Sequence, residues 1–346
     1  MKRWVKQVQT CLVLPLSMMV WGQMQMRTSA QSTLAKPPNP SVLLSRATEN
    51  YGRAAAYSQR QGGDALLILK NDEIVLEQYA KPYTAETPHV LASGTKSFVG
   101  ILAIAAVDDQ LLDLDEPAAN TLSEWKADPQ RSKITVRQLL NLTSGLAPGS
   151  LGQVPTYAQA VKSALVYPPG TRFQYGPASF QIFGEIMRRK LAARKESPVA
   201  YLKRQVLDPI GLKVGKWALG SDGNPNLASG ASLTAREWAK FGQLLEHRGR
   251  WDGERVLKKK WLKETVEGSA INAAYGLGFW LNALGPSPIN KPQNFLSAAP
   301  EDAFMAAGAS DQRLYVIPSE DLVIVRFGRD NSFEDNTFLT LLFSDS

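Results

Sequence analysis

The segments that favour β-strands lie near the two ends of this chain, and a long helical block separates them. Residues 65–70 and 73–77 are apolar runs on either side of an Asn-Asp turn, a pattern typical of a β-hairpin. Residues 312–318 and 322–327 form a second pair of apolar runs around a polar turn. One antiparallel sheet built from both ends, with the helical block inserted, is the simplest way to bury both pairs. This order of elements predicts an α+β fold.

The helical block contains one segment that we expect to be buried on all sides. Residues 94–112 are predicted to form a helix, and residues 98–107 within it are apolar on every face. A short strand is expected to precede this helix and to end at Val90-Leu91. Further helices are predicted at about 135–142, 155–166, 178–192, 198–206 and 234–248, and the last one at 333–343.

Residues 1–30 have the three-part layout of a secretory signal peptide. Three basic residues lie within the first six positions, an apolar run extends from Cys11 to Trp21, and small residues follow at 28–30. The apolar run is shorter than the roughly 20 residues of a membrane span. The alternatives are an uncleaved membrane anchor and a lipid anchor on Cys11, but the apolar run follows this cysteine and does not precede it. The layout therefore predicts export, to a bacterial periplasm or to the exterior.

The remainder of the chain is predicted to form a linker and one domain. Residues 31–43 are rich in Pro and Ser, which favours a linker. Residues 44–346 are expected to form the domain. Its sheet would come from about 44–92 and 270–346, and its helical subdomain from about 93–269.

Charge and cysteine content exclude several classes of function. The formal net charge is +7, and removal of the signal peptide with its four basic residues leaves about +3. This charge is too small and too scattered to favour nucleic-acid binding. The single cysteine is Cys11, so the exported chain would have no disulfide, no thiolate zinc site and no cysteine nucleophile.

Histidine is scarce, and this argues against two common hydrolytic mechanisms. The chain has only His89 and His247, and neither lies beside a G-x-S-x-G turn. No H-x-x-x-H or H-E-x-x-H spacing is present that would favour a zinc site. We therefore expect both histidines to be structural or solvated, and we predict neither a metal nor another cofactor.

A serine hydrolase without histidine needs another base, and lysine can take that role. The S-x-x-K spacing places an amine one helical turn from a hydroxyl, and it occurs at Ser93–Lys96 and at Ser123–Lys126. Ser93 follows a predicted strand and opens the buried helix, whereas Ser123 lies in a polar stretch that we expect at the surface. The alternative for Ser93 is an ordinary helix-capping serine. We predict that Ser93 is the nucleophile and that Lys96 is its base.

An ordered series of short motifs extends over about residues 50–343. The motifs are the hairpin at 65–79, S-G-T-K-S-F at 93–98, L-D-L-D-E-P at 112–117, I-T-V-R-Q-L-L at 134–140, T-S-G-L at 143–146, F-Q-Y-G-P at 173–177 before the helix at 179–189, W-A-K-F-G-Q-L-L at 238–245, Y-G-L-G at 275–278, and the segment 308–318. In this order they resemble the β-lactamase-related serine hydrolases. This family includes class C β-lactamases, D-alanyl-D-alanine carboxypeptidases, related esterases and 6-aminohexanoate-dimer hydrolases. The resemblance implies a β-lactamase/transpeptidase-like fold, an antiparallel sheet flanked by helices with an inserted helical subdomain.

The resemblance also implies roles for individual residues. Ser93 corresponds to the acylated nucleophile and Lys96 to its base. Tyr175 corresponds to the tyrosine of the Y-x-N motif, which passes a proton to the leaving group. Gly308 corresponds to the last glycine of the K-T-G or H-x-G strand motif. The backbone N–H groups of Ser93 and Ala309 would form the oxyanion hole.

Two positions depart from the family pattern. Pro177 replaces the asparagine of Y-x-N, and Ala306 replaces the cation at the head of K-T-G, which in the family binds a substrate carboxylate. The sequence therefore predicts an exported serine hydrolase that forms an acyl-enzyme on a small-molecule ester or amide. The alternatives are a penicillin-interacting β-lactamase or D-Ala-D-Ala carboxypeptidase, and a catalytically silent relative that binds cell-wall peptides or a protein partner.

Overall fold

The protein is described by a computed structural model for residues 40–288 and 292–344. The predicted signal peptide (1–30) and residues 31–39 of the predicted linker lie outside the described residues. The helices are α1 (Pro40–Arg60), α2 (Thr95–Asp108), α3 (Val136–Leu140), α4 (Tyr157–Val161), α5 (Ala178–Lys190), α6 (Pro198–Leu202), α7 (Ala235–Glu246), α8 (Lys259–Thr265) and α9 (Asp335–Phe343). The strands are β1 (Gly63–Lys70), β2 (Glu73–Tyr79), β3 (His89–Val90), β4 (Lys216–Trp217), β5 (Ala231–Leu233), β6 (Arg250–Trp251), β7 (Glu254–Arg255), β8 (Trp280–Leu281), β9 (Gly285–Pro286), β10 (Pro292–Gln293), β11 (Phe304–Gly308), β12 (Gln312–Ile317) and β13 (Leu322–Gly328).

A six-stranded antiparallel sheet joins the two ends of the chain, as the sequence predicts. Its strand order is β2-β1-β13-β12-β11-β8, so the N-terminal hairpin pairs with the last strand. The hairpin turns at Asn71 and Asp72, which both have positive φ angles, 50° and 66°. Such φ angles are required by the tight turn that matches the twist of a β-hairpin.

Helices cover both faces of this sheet. On one face, Trp238 of α7 stacks on Phe327 of β13 with 5.6 Å between ring centroids. On the other face, Tyr315 of β12 stacks on Phe338 of α9, with centroids 5.9 Å apart. Residues on both sides of the central strands are therefore buried, which explains the nearly continuous apolar runs in the sequence.

The predicted central helix is present as α2, and its residues from Thr95 to Val107 are all buried. Phe98 stacks on Phe241 of α7 with 4.0 Å between ring centroids. On another side, Gly100 lies so close to Leu277 that a Cβ atom would be 1.9 Å from its carbonyl oxygen. The helix ends four residues before the predicted limit of 112.

Several predicted boundaries differ from the structure. The sequence predicts a linker as far as residue 43, but α1 already begins at Pro40. The helix expected at 155–166 ends at Val161, because the backbone of Ala164 and Val166 pairs with the segment 145–147. The strand expected before Ser93 is present as β3, but it belongs to a separate three-stranded sheet with the order β3-β5-β4.

A helix that crosses a membrane can be sought in the part of the chain that the structure describes. None of the helices there has both the length and the hydropathy needed to cross a lipid bilayer.

Candidate active site

Ser93 lies in a 3-10 turn, Ala92–Gly94, that connects β3 to α2. The turn is held at both ends: the backbone N–H of Leu91 donates to Ala231 O at 2.9 Å, and that of Gly94 donates to Leu91 O at 2.9 Å. Ala92 has a φ of 46°, in the left-handed region that costs energy for a residue with a Cβ atom. The surrounding structure thus holds Ser93 in one position at the N-terminal end of the buried helix.

Lys96 lies one turn further, beneath Ser93, and only 2% of its surface is exposed. Its Nζ donates to Ser93 Oγ at 3.0 Å and to the carbonyl oxygen of Ala228 at 2.9 Å. Burial disfavours the charged form and lowers the pKa of Lys96 from its usual 10.5 to about 7. At neutral pH a large fraction of this amine is therefore uncharged and able to accept a proton.

Tyr175 completes a group of three polar side chains. Its ring stacks on Trp280 with 5.6 Å between centroids, and Lys96 Nζ lies 5.2 Å from its centroid. Burial raises the pKa of Tyr175, while a hydrogen bond with the Ser93 side chain and the charge of Arg313 act in the opposite direction. The net shift is upward, so the phenol keeps its proton at the pH where Lys96 titrates.

Gly308, at the end of β11, lies against the backbone of the Ser93 turn. A Cβ atom at this position would be 2.0 Å from Leu91 O and 3.2 Å from Gly94 N. Only glycine allows the strand to approach the turn this closely. The close approach brings the next residue, Ala309, to the same cavity as Ser93.

A cavity of about 420 Å³ opens over these residues, a size typical of small-molecule sites. Ser93, Tyr175, Gly308 and Ala309 all line it, so the structure brings the predicted site residues together around Lys96. Its walls are mostly apolar and include Val90, Leu151, Trp280, Pro288, Phe295 and Met305.

Comparison with known proteins identifies the family. Residues 44–339 match the family model described as Beta-lactamase. The chain belongs to the beta-lactamase family. This confirms the resemblance inferred from the order of the sequence motifs.

The relatives of this beta-lactamase-family protein include proteins that are named as hydrolases. The chain is 22% identical over 285 residues to a 6-aminohexanoate-dimer hydrolase from Paenarthrobacter ureafaciens. The matched region covers 76% of this chain and 71% of that relative. A penicillin-binding protein homologue from Caulobacter crescentus has the same fold, with a TM-score of 0.66, 16% identity and coverage of 85% of this chain and 96% of the other. A family VIII carboxylesterase has a TM-score of 0.65 at 16% identity and covers 86% and 96% of the two chains. The predicted β-lactamase/transpeptidase-like fold is therefore confirmed.

The second S-x-x-K pair of this beta-lactamase-family protein lies apart from the cavity. Ser123 is in a 3-10 turn, Ser123–Trp125, and both it and Lys126 are exposed. Lys126 therefore lacks the burial that surrounds Lys96. The spacing alone could not separate the two pairs, but the apolar helix after Ser93 could.

The two histidines do not line the cavity. His89 stacks on Phe327 with 4.3 Å between centroids, and burial lowers its pKa. His247 is at the surface, with Nε2 2.9 Å from Asp72 Oδ1 and 3.1 Å from Glu246 Oε2. Neither ring is placed to act on Ser93.

Sequence reasoning missed Arg313, a cation that lines the cavity although only 9% of its surface is exposed. It lies opposite Ala307 in the β11–β12 pairing. The signal for it was present: an arginine directly before the apolar run at 314–317, within one strand, needs a buried partner. Ala306, where the family pattern has a cation, contributes only a buried methyl group.

Proposed function

We propose that this protein is a serine hydrolase that forms an acyl-enzyme on Ser93 with a small, uncharged ester or amide. The observation that carries the proposal is the contact of 3.0 Å between Lys96 Nζ and Ser93 Oγ, at a site where burial lowers the pKa of the amine to about 7. A base with a pKa near the working pH is the most effective one for removing a serine proton. The hydrolase and carboxylesterase names of the relatives support the same reaction class.

In the proposed reaction, Lys96 accepts the hydroxyl proton of Ser93 while Oγ forms a bond to the substrate carbonyl carbon. The carbonyl oxygen becomes negatively charged and is stabilised by the backbone N–H groups of Ser93 and Ala309. The bond between the carbonyl carbon and the leaving group then breaks, and Tyr175, which is protonated at this pH, donates its proton to the leaving group. Tyr175 recovers a proton from the Lys96 ammonium. Water then attacks the acyl-enzyme by the same proton transfers in reverse, which releases the acid and restores Ser93.

The cavity favours an uncharged substrate. Apolar side chains such as Trp280, Phe295 and Met305 form much of its wall. Ala306 supplies no cation, and the guanidinium of Arg313 already donates hydrogen bonds to Asp335 and to the carbonyl oxygen of Gly308. A substrate carboxylate would therefore lose its hydration without gaining an ionic partner, which is costly. We infer that an ester or small amide with an apolar acyl group fits better than a penicillin or a D-Ala-D-Ala peptide.

The proposal is tested by measuring intact mass after reaction with two serine-directed probes. A fluorophosphonate is expected to add one label per chain in the wild type and in Ser123→Ala, and none in Ser93→Ala. A fluorescent penicillin is expected to label poorly. Stable penicillin labelling at Ser93 would favour a penicillin-interacting enzyme. Absence of label with both probes would favour a catalytically silent binding protein.

A further inference from the structure

The peptide between Gly308 and Ala309 is held from behind by Arg313. Arg313 Nη1 donates to the carbonyl oxygen of Gly308 at 3.1 Å. The N–H of the same peptide unit belongs to Ala309, which lines the cavity with Ser93. A trans peptide is planar, with its C=O and N–H in opposite directions. A donor that fixes the carbonyl on one side therefore also fixes the direction of the N–H on the other.

The guanidinium of Arg313 has no donor left for a substrate. Nε and Nη2 donate to the two carboxylate oxygens of Asp335 at 2.7 and 3.0 Å, and Nη2 also donates to Asp311 Oδ1 at 3.2 Å. Nη1 donates to Gln312 O at 3.1 Å in addition to Gly308 O. All five N–H groups are thus engaged with the protein.

The acceptors of Arg313 are themselves held in place. Tyr315 Oη donates to Asp335 Oδ1 at 2.5 Å. Asp335 is buried and is the first residue of α9, where the helix dipole favours a negative charge. Asp311 Oδ2 accepts from the backbone N–H of Phe333 at 3.1 Å. The bidentate pair of Arg313 with Asp335, together with the contacts that hold Asp335 and Asp311, restricts the guanidinium to one orientation.

The positive charge of Arg313 also acts on the Gly308–Ala309 peptide, in addition to the orientation that its hydrogen bond imposes. Burial by itself lowers the pKa of Arg313, but Asp335 raises it above the usual value, so the guanidinium stays charged. A cation at the carbonyl end polarises the peptide and makes its N–H a stronger donor. The effect is greatest when an anion forms on the other side of the peptide, as in the proposed reaction.

We propose that Arg313 and Asp335 are positioning residues that orient and polarise the Gly308–Ala309 peptide, so that the Ala309 N–H stabilises the oxyanion. This inference rests on the proposed function. It explains why a buried cation lines the cavity although none of its donors faces a substrate. It also assigns a chemical role to an ion pair that would otherwise only connect β12 to α9.

The test compares two esters with acyl chains of equal length. One is the uncharged p-nitrophenyl butyrate, and the other is the anionic mono-p-nitrophenyl succinate. The variants are Arg313→Gln and the double variant Arg313→Gln/Asp335→Asn, which leaves no uncompensated carboxylate at 335. Arg329→Gln is the matched control, because Arg329 is half exposed and pairs with Asp64 outside the cavity. Complete fluorophosphonate labelling of Ser93 confirms in each case that the protein is folded.

We expect kcat to fall about 10- to 100-fold for both esters, with KM changed by less than about twofold, because a donor used only in the transition state is weakened. Arg313→Lys is expected to recover part of kcat, since its ammonium can still reach the carbonyl. Loss confined to the anionic ester, as an increase in KM, would identify Arg313 as a substrate-binding residue and overturn the inference. Unchanged kcat in both folded variants would also overturn it. If wild-type Ser93 itself takes no label, the proposed function fails instead.

Discussion

At the scale of single residues, the proposed site depends on two pKa shifts in opposite directions, one for a base and one for an acid. Burial lowers the pKa of Lys96 to about 7 and raises that of Tyr175. Near neutral pH the first group can accept a proton while the second still holds one. Such a separation supports the proposed roles of Lys96 as the base and Tyr175 as the acid, without a histidine.

The acylation rate should therefore depend on the charge of Lys96. Below about pH 7 the amine is protonated and cannot accept the Ser93 proton, so the rate is expected to rise with pH through a midpoint near 7 and then level off. Lys96→Arg, which stays charged throughout, is expected to be at least about 100-fold slower at every pH. Rates of p-nitrophenyl ester turnover between pH 5.5 and 9 measure this. A rate that still rises steeply at pH 9, as the ordinary lysine pKa of 10.5 predicts, would show that burial does not activate Lys96.

Two neighbouring tyrosines offer a matched pair of substitutions. Tyr175→Phe is expected to slow acylation by about 100-fold or more, because the proton path to the leaving group is lost. Tyr275 is also buried, but its hydroxyl has no hydrogen-bond partner among the described residues. Tyr275→Phe should keep the acylation rate and raise the free energy of unfolding by about 1 kcal/mol. Ester turnover and urea denaturation of both variants check this, and equal loss of activity in the two would contradict it.

At the scale of secondary-structure elements, the sequence predicts those helices and strands that are determined by local sequence patterns. The hairpin β1–β2, the helix α2 and the strands β12 and β13 are long apolar segments with clear ends, and all are present. The helix α1 was not predicted, because it gains its stability from distant partners, such as Arg326 donating to Ser58. Two-residue strands such as β4 and β8 are too short for periodicity to reveal.

The contact between β11 and the nucleophile turn is a property of two elements, and it can be tested with glycine substitutions. Gly308→Ala would place Cβ 2.0 Å from Leu91 O, so the strand must move away from the turn. We expect acylation to slow by about 10-fold or more, because the Ala309 N–H moves with the strand. Gly52→Ala in α1 meets nothing within 4 Å and should preserve the rate while stabilising the helix by about 1 kcal/mol. Wild-type acylation by the folded Gly308→Ala variant would contradict this geometry.

At the scale of the whole molecule, the site is assembled from segments remote in sequence. The spacing and the apolar helix predict Ser93 and Lys96 as site residues, and the family resemblance predicts Tyr175 and Gly308. The position of Arg313 in an apolar strand indicates that it needs a buried partner but not which one, because its proposed role depends on the pairing of β11 with β12 and on Asp335 in α9. Local patterns carry no information on such pairings until the fold is known.

The fate of residues 1–30 also concerns the whole molecule, and it remains a prediction from sequence. Expressed in a bacterium, the full chain is expected in the periplasm or medium, with an N-terminus at Gln31 after cleavage at the small residues 28–30. N-terminal sequencing of the fractionated protein measures this. An intact N-terminus at Met1 in the cytoplasmic fraction would contradict export.

The central claim is that Ser93 carries the acyl group, with Lys96 as its base. The most direct measurement is peptide mass spectrometry of the protein quenched in acid during turnover of p-nitrophenyl butyrate, at pH 6 and at pH 8. The account predicts a butyryl group on Ser93 that forms faster at pH 8 and is absent from Ser93→Ala. A butyryl group on another residue of the wild type, or turnover by Ser93→Ala at the wild-type rate, would contradict it.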